Sequence, residues 1–205
     1  MRIMKEYKLK EKERRKNRVY KVATKTLYRN GYDRTSIRDI AKAMDMTTAG
    51  LYYYFKSKEE LLYQILKGHM DDMIEGIEKI SVEDISPEEV IKSYIRYQIG
   101  TYCTDKYRTK LILSDDDCLT GEWYTQIKNQ QRQYLGFWRE ALENYCRDKG
   151  LPTSHIAIDA HCLVGMCAWI YRWYDPKGEI DPETLADKIF VTFFFGLSNK
   201  GKEAI

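Results

Sequence analysis

The sequence has few of the residues that interrupt regular structure or that crosslink a chain. Its 205 residues include only 4 prolines and 12 glycines, which favours long helices over many short strands. The 5 cysteines are odd in number and include no C-x-x-C pair, so we expect reduced, mostly buried thiols and no disulfide framework. The longest apolar run, residues 189–197, is interrupted by Thr192 and is shorter than the ~20 apolar residues of a membrane span.

Secretion and membrane insertion are also disfavoured by the amino-terminal stretch. MRIMKEYKLKEKERRKNR carries charges throughout and has no apolar centre, so it does not have the pattern of a secretion signal. We therefore expect a cytoplasmic protein with no membrane partner.

The patterns that indicate an enzyme are missing as well. The chain has no Gly-rich phosphate loop, no G-x-S-x-G and no paired carboxylates in an apolar frame. The three histidines lack metal-ligand spacing, and His161-Cys162 with Cys167 is more typical of helix packing. Asp115-Asp116-Asp117 is interpreted as a helix end in solvent. We predict no catalytic residue, no metal and no cofactor.

What the sequence does contain is a strong charge asymmetry. Residues 1–60 hold 17 Lys or Arg against 8 Asp or Glu, a net charge of +9, and the rest of the chain holds 17 against 23. A basic head on an acidic body is typical of a phosphate-binding module joined to a separate regulatory domain. A solvated basic helix is the alternative.

Hydrophobic periodicity and capping residues predict an all-α fold of about nine helices. We assign residues 1–56 to a DNA-binding domain and 57–205 to a ligand-binding and dimerisation domain. The predicted helices are 10–29, 37–44, 47–55, one from Ser57 onward, one from Pro87 onward, 106–114, 119–149, 153–174 and 182–197.

The stretch from Gly31 to Lys58 is the most informative part of the chain. It predicts two short helices joined by a turn of three to four residues, which is a helix-turn-helix pattern. Small residues from Thr47 to Gly50 let the start of the second helix approach the major groove, where its N–H groups meet phosphate. Tyr52, Tyr53 and Tyr54 project on different faces, and a phenol that reaches a phosphate positions the helix.

At these residues the segment resembles the tetracycline-repressor (TetR) family of bacterial regulators. The matching positions run from Ala23 to Leu61, with Tyr28 and Tyr54 as mild departures from the usual Phe and His. They are Ala23, Leu27, Gly31, Tyr32, Thr35, Ser36, Ile40, Ala41, Leu51, Tyr52, Phe55, Ser57, Lys58, Glu59 and Leu61.

The resemblance implies contact with double-stranded operator DNA. The implied contact residues are Thr35, Ser36, Thr47, Thr48, Ala49, Gly50, Tyr52, Tyr53 and Lys58. No Arg, Asn or Gln lies between Thr47 and Tyr54, so Arg38 is the best candidate to read a base edge. We expect shape readout and a symmetric operator to supply much of the specificity. For Tyr52, the alternative to phosphate contact is packing against the first helix. The basic tail before Arg18 either follows the DNA or is a solvated face.

Apolar residues on the last two helices predict a homodimer. A surface of that size is hard to bury in a monomer, and in the family these helices form a four-helix bundle with their symmetry mates. Internal core alone is the alternative. The residues are Ile158, Cys162, Gly165, Met166 and Ile170 with Leu185, Ile189, Phe193, Phe194 and Leu197.

The region from Trp169 onward also resembles a branch of the family that responds to acyl-CoA thioesters. The shared residues are Trp169, Trp173, Tyr174, Asp175, Pro176 and Gly178. A thioester effector needs an apolar tunnel with cations at its mouth. Candidate tunnel residues are Trp123, Tyr124, Tyr134, Phe137, Trp138 and Trp169, and candidate phosphate partners are Arg108, Arg132, Arg139 and Arg172. Ordinary core packing is the alternative for the aromatics.

The predicted function is a transcription regulator, most simply a repressor, that leaves its operator when a small molecule binds. This mechanism requires an effector that prefers the conformation in which the recognition helices are wrongly spaced for DNA. The conformational change is transmitted through the fourth helix. Two alternatives are a multidrug or efflux repressor with a cationic or neutral ligand, and a helical ligand-binding or enzyme domain. Loss of the basic head would favour the second of these, and the sequence retains it.

Overall fold

The computed structural model is all-α, as the sequence predicts, and describes residues 2–199. Within that range there are nine α-helices, two short 3-10 helices and no strand. None of these helices combines the length and the apolar character that crossing a bilayer requires. In chain order they are α1 Arg2–Asn30, α2 Ile37–Ala43, α3 Thr48–Tyr52, α4 Lys58–Ser81, α5 Pro87–Thr104, α6 Lys106–Ser114, α7 Gly121–Asp148, α8 Ile156–Ala168 and α9 Pro182–Asn199, with 3-10 helices at Asp116–Cys118 and Trp169–Arg172.

Local capping chemistry explains where several helices begin and end. Gly31 follows α1 with φ 83° and donates its N–H to the carbonyl of Leu27 at 2.8 Å, a left-handed ending that glycine adopts without strain. Ser86 accepts the N–H of Glu89, and Pro87 takes the first position of α5, where a missing N–H costs nothing. The Oγ of Ser57 accepts the N–H of Glu60 at 3.0 Å.

Two predicted helices differ most from the structure, and among the smaller differences α3 ends at Tyr52 and not at residue 55. Helix α1 begins at Arg2 rather than near residue 10, so the charged amino-terminal stretch is helical. Helix α8 begins at Ile156 and gives way at Trp169 to a 3-10 turn that ends at Arg172, whereas the prediction was one helix over 153–174. Tighter 3-10 turns are common at helix ends, and periodicity alone does not separate them from the α-helix.

The chain divides into two compact units that do not follow a single cut in the sequence. One contains the chain up to His69 together with Lys110–Ile127, and the other contains Met70–Thr109 together with the chain from Lys128 onward. Helices α4, α6 and α7 therefore supply residues to both. The predicted domain boundary after residue 56 stays a prediction.

The core of the first unit forms where α1 to α4 turn their apolar faces inward. Val19, Ala23 and Leu27 recur every fourth residue along α1, and all three are buried. Ile40 of α2 and Leu51 of α3 are fully buried as well. Burying a side chain of this size stabilises the fold by about 1.5–3 kcal/mol.

The core of the second unit is organised around α5, which packs mainly against α9 and also against α8. Its inward face is the stripe of Ile91, Tyr94, Ile95 and Ile99, all of which are buried. At the surface the guanidinium of Arg96 bonds the carboxylate of Asp187 on α9 at 3.0 Å.

Helices α4 and α5 approach each other closely at Gly76. A Cβ built on this residue would lie 2.0 Å from Cζ of Tyr97, a distance that real Cβ atoms do not reach. The Tyr97 hydroxyl donates to the carbonyl of Asp72 at 2.6 Å, which holds the ring in this position. A side chain at residue 76 therefore requires the Tyr97 ring to move, so glycine is favoured here by the packing of a neighbouring helix and not by its own backbone angles.

Candidate DNA-binding surface and effector domain

Helix α2 begins at a reciprocal cap. The Oγ of Ser36 accepts the N–H of Asp39 at 3.2 Å, and a carboxylate oxygen of Asp39 accepts the N–H of Ser36 at 2.8 Å. Hydrogen bonds from Ser36 lower the pKa of the exposed Asp39 carboxyl below its ordinary value. The cap therefore fixes the start of the first helix of the predicted motif.

A tight turn connects α2 to α3. Asp45 has φ 54°, in the left-handed region that Asp and Asn tolerate better than most residues. The N–H of Met46 returns to the carbonyl of Ala41 at 3.0 Å, which closes the end of α2. Thr47 then caps α3, since its Oγ1 accepts the N–H of Gly50 at 3.1 Å. The residues thus form two short helices joined by a turn, the predicted helix-turn-helix arrangement.

The outer side of α3 is exposed while its inner side is anchored. Leu51 and Phe55 lie in the core of the first unit, whereas Tyr52 is 51% and Tyr53 67% exposed. Thr47 and Ala49 are exposed, Thr48 and Gly50 are half-buried, and Ser36 and Arg38 at the start of α2 are exposed. Large aromatic rings exposed to solvent beside a capped helix start are typical of a binding surface.

Two of the predicted DNA contacts have other roles here. Thr35 is only 2% exposed, and its hydroxyl donates to the carbonyl of Gly31 at 2.7 Å. The prediction of Thr35 as a DNA contact does not fit this position, because a phosphate cannot reach a buried, bonded hydroxyl. Lys58 donates its Nζ to the carbonyl of Tyr32 at 2.9 Å and lies 4.0 Å from the centre of that ring. The predicted contact of Lys58 with phosphate must use its remaining N–H donors.

The segment after α6 belongs to the first unit, which the sequence did not indicate. Asp116 is buried rather than in solvent, so the interpretation of Asp115-Asp116-Asp117 as a solvated helix end is wrong at this residue. Burial raises the pKa of the Asp115 carboxyl. A carboxylate oxygen of Glu59 accepts the N–H of Thr120 at 2.7 Å, which attaches this segment to the start of α4.

The interior of the second unit contains a small polar cluster among aromatic rings. Gln98 is fully buried on α5, and its amide oxygen accepts the hydroxyl of Tyr134 at 3.1 Å. Its amide nitrogen reaches the carbonyl of Val164 only at 3.4 Å. Trp138 is fully buried, with Tyr94 and Tyr134 edge-on to its ring at 5.3 and 6.4 Å. Burial raises the pKa of Tyr134 well above its ordinary value, so its hydroxyl remains a donor.

Not all predicted tunnel residues come together with this cluster. Tyr134, Phe137 and Trp138 belong to the second unit, whereas Trp123 and Tyr124 belong to the first. The rings of Trp123 and Tyr63 stack with their centres 5.5 Å apart, so Trp123 has a packing role in the first unit. Trp169 is 62% exposed, so its prediction as a tunnel wall does not fit.

The predicted phosphate-binding arginines also divide into two kinds. Arg108 is held by two carboxylates, bonding Asp72 at 2.7 Å and Asp105 closely, so it is neutralised and does not fit a free anion site. Arg132 and Arg139 are exposed on α7. The guanidinium of Arg132 donates to the neutral amide oxygen of Asn129 at 2.6 Å. Arg172 is exposed and lies 5.4 Å over the ring of Trp169.

The predicted dimer residues fall partly inside and partly outside the subunit. Ile170, Leu185, Ile189 and Phe194 are buried within the second unit, so their assignment to a dimer surface is wrong, and the side chain of Leu197 lies outside the described residues. Ile158, Cys162 and Gly165 form an exposed stripe on α8 at helical spacing, with Met166 and Phe193 half-buried. Sequence reasoning missed Val191 and Phe195, which are exposed on α9.

A helix-turn-helix with an exposed second helix defines the class of DNA-binding proteins to which this chain belongs. Two family models match the chain: residues 19–65 match bacterial regulatory proteins of the tetR family, and residues 84–197 match the tetracyclin repressor-like, C-terminal domain. The second match covers more than half of the chain. The chain therefore belongs to the TetR family and is a transcription regulator, not an enzyme.

Individual relatives agree with this assignment over nearly the full length. The chain is 23% identical over 190 residues to the HTH-type transcriptional repressor KstR2 of Rhodococcus jostii, covering 90% of this chain and 92% of that protein. A TetR-family transcriptional regulator from Bordetella parapertussis has a similar structure, with 27% identity, a TM-score of 0.84 and coverage of 90% and 96%.

A further solved structure resembles the chain and was determined with ligands. AibR in complex with isovaleryl coenzyme A and operator DNA is 29% identical, with a TM-score of 0.78 and coverage of 87% of this chain and 97% of that chain. That regulator holds both an acyl-CoA and an operator.

Proposed function

We propose that this regulator is a homodimeric repressor that acts in the cytoplasm, binds a two-fold symmetric operator through α3, and releases it when an acyl-CoA thioester binds to the second unit. The observation that carries the DNA-binding part is the exposed, capped α3 with Tyr52 and Tyr53 in solvent. The similarity to AibR, which binds both isovaleryl coenzyme A and operator DNA, supports the effector.

The homodimer is supported by apolar side chains that the subunit leaves in solvent. Ile158 on α8 and Val191 and Phe195 on α9 are exposed, and Phe195 is 74% exposed. A two-fold axis through α8 and α9 removes these side chains from water. It also gives two copies of α3, which are needed to read half-sites about 34–36 Å apart.

The interior of the second unit suits the acyl part of the effector. Effector sites are apolar with a few placed polar groups, and the surroundings of Gln98 have that composition. The Gln98 amide bonds the carbonyl of Val164 at 3.4 Å and is also hydrogen-bonded to the Tyr102 hydroxyl, so a thioester carbonyl competes with both for its N–H donors. Trp138 and Tyr94 supply apolar surface beside it.

The coenzyme A part requires cations, and α7 offers two on one face. Arg132 and Arg139 are seven residues apart, about 10 Å along the helix, and both are exposed. A guanidinium bonds a phosphate with paired N–H donors, which makes each contact strong. We assign Arg132 and Arg139 to the phosphates of the effector and leave Arg108 out because carboxylates already hold it.

Helix α4 is the element through which effector and operator binding are coupled in this proposal. It is one continuous helix that begins at Lys58 and ends at Ser81, and it supplies residues to both units. An effector that prefers one position of α4 shifts the population of DNA-competent dimers by its differential affinity.

The effector is tested on the full chain bound to a duplex selected from a random pool. Isovaleryl-CoA and longer acyl-CoAs are titrated against the complex, with free coenzyme A and the free acids as controls. We expect the thioesters to release DNA at lower concentration than either control. Operator binding that is intact but insensitive to every thioester would reject the effector and leave the DNA-binding function standing.

A charge variant sharpens the same titration. Arg132→Gln with Arg139→Gln is expected to raise the half-release concentration about 100-fold, since each charge-assisted bond contributes about 1.5–3 kcal/mol. Arg147→Gln is the matched control, because Arg147 is exposed on the same helix and pairs with Glu143 at 2.6 Å. An equal response from the double variant and the control would exclude Arg132 and Arg139.

Base reading by Arg38 is tested separately. Arg38→Ala is expected to relax the preference at one base pair in each half-site, which corresponds to about 1–3 kcal/mol of lost discrimination. The measurement is a binding selection from random duplexes with the variant and the unmodified chain in parallel. An unchanged consensus would show that Arg38 reads no base.

A further inference from the structure

Helix α1 extends well beyond the part that packs on the helix-turn-helix. The family model begins at residue 19, whereas α1 begins at Arg2, so 17 helical residues precede the match. This stretch is about 25 Å long at 1.5 Å per residue. It is hereafter called the α1 extension, residues 2–18.

The α1 extension lies beside the candidate recognition helix. An open groove is lined by Tyr7, Glu11, Lys12 and Arg15 on one side and by Tyr53 and Tyr54 on the other. The Nζ of Lys12 is 5.3 Å from the centre of the Tyr53 ring. Tyr7, Glu11 and Arg15 continue the four-residue spacing of Val19, Ala23 and Leu27, so the face of α1 that is core at one end becomes this groove at the other.

The α1 extension carries an excess of positive charge between residues 10 and 18. Residues 10–18 hold six cations and two carboxylates, and the pairs of Arg14 and Arg15 with Glu11 are long, at 3.9 and 4.0 Å, and exposed. Such pairs contribute little. Lys12 and Lys16, like Arg14 and Arg18, are like charges at i,i+4, which destabilises an isolated helix. An anionic partner that lies along the helix removes this repulsion.

We propose that the α1 extension and the Tyr53–Tyr54 edge form one surface that binds the phosphate backbone of the operator beside the bases faced by α3. This inference rests on the proposed DNA-binding function and adds a second, sequence-independent contact to it. Double-stranded DNA presents one charge per about 1.7 Å of its axis, which suits a cationic helix of this length. A lipid surface suits it less, because residues 10–18 have no apolar face to insert.

The test measures how binding of a random-sequence duplex by the full chain depends on salt. In Lys12→Gln with Arg15→Gln, two phosphate contacts are lost in each subunit and four in the dimer, so the slope of log affinity against log salt is expected to fall by about 3.6. Affinity at low salt is expected to fall about tenfold or more. Glu11→Gln removes a carboxylate from the groove and is expected to tighten binding about threefold, an order of magnitude set by one exposed charge interaction.

The controls keep charge and helix formation apart. Lys21→Gln with Lys25→Gln makes the same charge change on exposed positions of α1 away from the groove and is expected to leave the slope nearly unchanged. Lys12→Arg with Arg15→Lys retains the charges and is expected to retain the slope. Circular dichroism of each variant measures its helix content, so an effect of lost charge is distinguished from an effect of lost helix.

Each remaining outcome decides between the two proposals. Failure of the unmodified chain to bind duplex would overturn the DNA-binding function itself. Duplex binding that is equal in the groove variant and the Lys21/Lys25 control would overturn only the α1 contact. Loss of binding to phosphatidylserine vesicles, with duplex binding unchanged, would assign the surface to membranes instead.

Discussion

Replacing Phe195 by aspartate is expected to make the protein monomeric and to weaken operator binding by about 100-fold or more. Among the described side chains of α9, Phe195 is the most exposed large apolar one, and a carboxylate there would lie unpaired in the proposed interface. Two linked recognition helices bind two half-sites at once, so separating them removes the gain from the second contact. Sedimentation velocity measures the mass, and fluorescence anisotropy on the selected operator measures the affinity.

The matched control is Val82→Asp. Val82 is also an exposed apolar residue, but it lies in the connection between α4 and α5 and not on α8 or α9. Val82→Asp likewise replaces an exposed apolar side chain by a carboxylate, and this variant is expected to remain dimeric with unchanged operator affinity. A Phe195→Asp protein that sediments as a dimer and binds normally would place the dimer surface elsewhere.

Replacing Trp138 by alanine is expected to lower the free energy of unfolding by about 3–5 kcal/mol. Trp138 is fully buried in the second unit against Tyr94 and Tyr134, so its removal leaves a cavity that rigid aromatic neighbours fill poorly. Urea denaturation followed by circular dichroism measures the loss.

A second tryptophan supplies the comparison. Trp169→Ala is expected to change the free energy of unfolding by no more than about 0.5 kcal/mol, since most of that ring is in solvent. A large loss in both variants would mean that Trp169 is buried in the assembled protein. A small loss in Trp138→Ala would contradict the packing described for the second unit.

The parts of the fold that the sequence predicted are those set by neighbouring residues. Ser36, Thr47 and Gly31 act through atoms within a few residues along the chain, so the end of α1 and the starts of α2 and α3 were readable from spacing. The helix count followed in the same way. The TetR resemblance lay in this same stretch, and the family matches confirm it.

Tertiary packing decided the positions that the sequence did not give. Thr35 was predicted to contact DNA, yet its side chain folds inward and donates to the carbonyl of Gly31. Helix α9 is apolar on more than one side, so composition did not separate buried Phe194 from exposed Phe195. Asp116 is buried in the segment that Glu59 attaches to the start of α4, and no local sequence pattern predicts that attachment.

The close approach at Gly76 links two positions that lie on different helices. Since the Tyr97 ring occupies the space where a side chain at residue 76 would begin, bulk is available to one of the two residues and not to both. A related chain with alanine or serine at the first position must therefore carry a smaller side chain at the second, turn the tyrosine ring away, or hold α4 and α5 further apart. For this reason, we expect the residues at positions 76 and 97 to be correlated among related chains. An engineered chain with a larger side chain at one position needs a smaller or displaced side chain at the other.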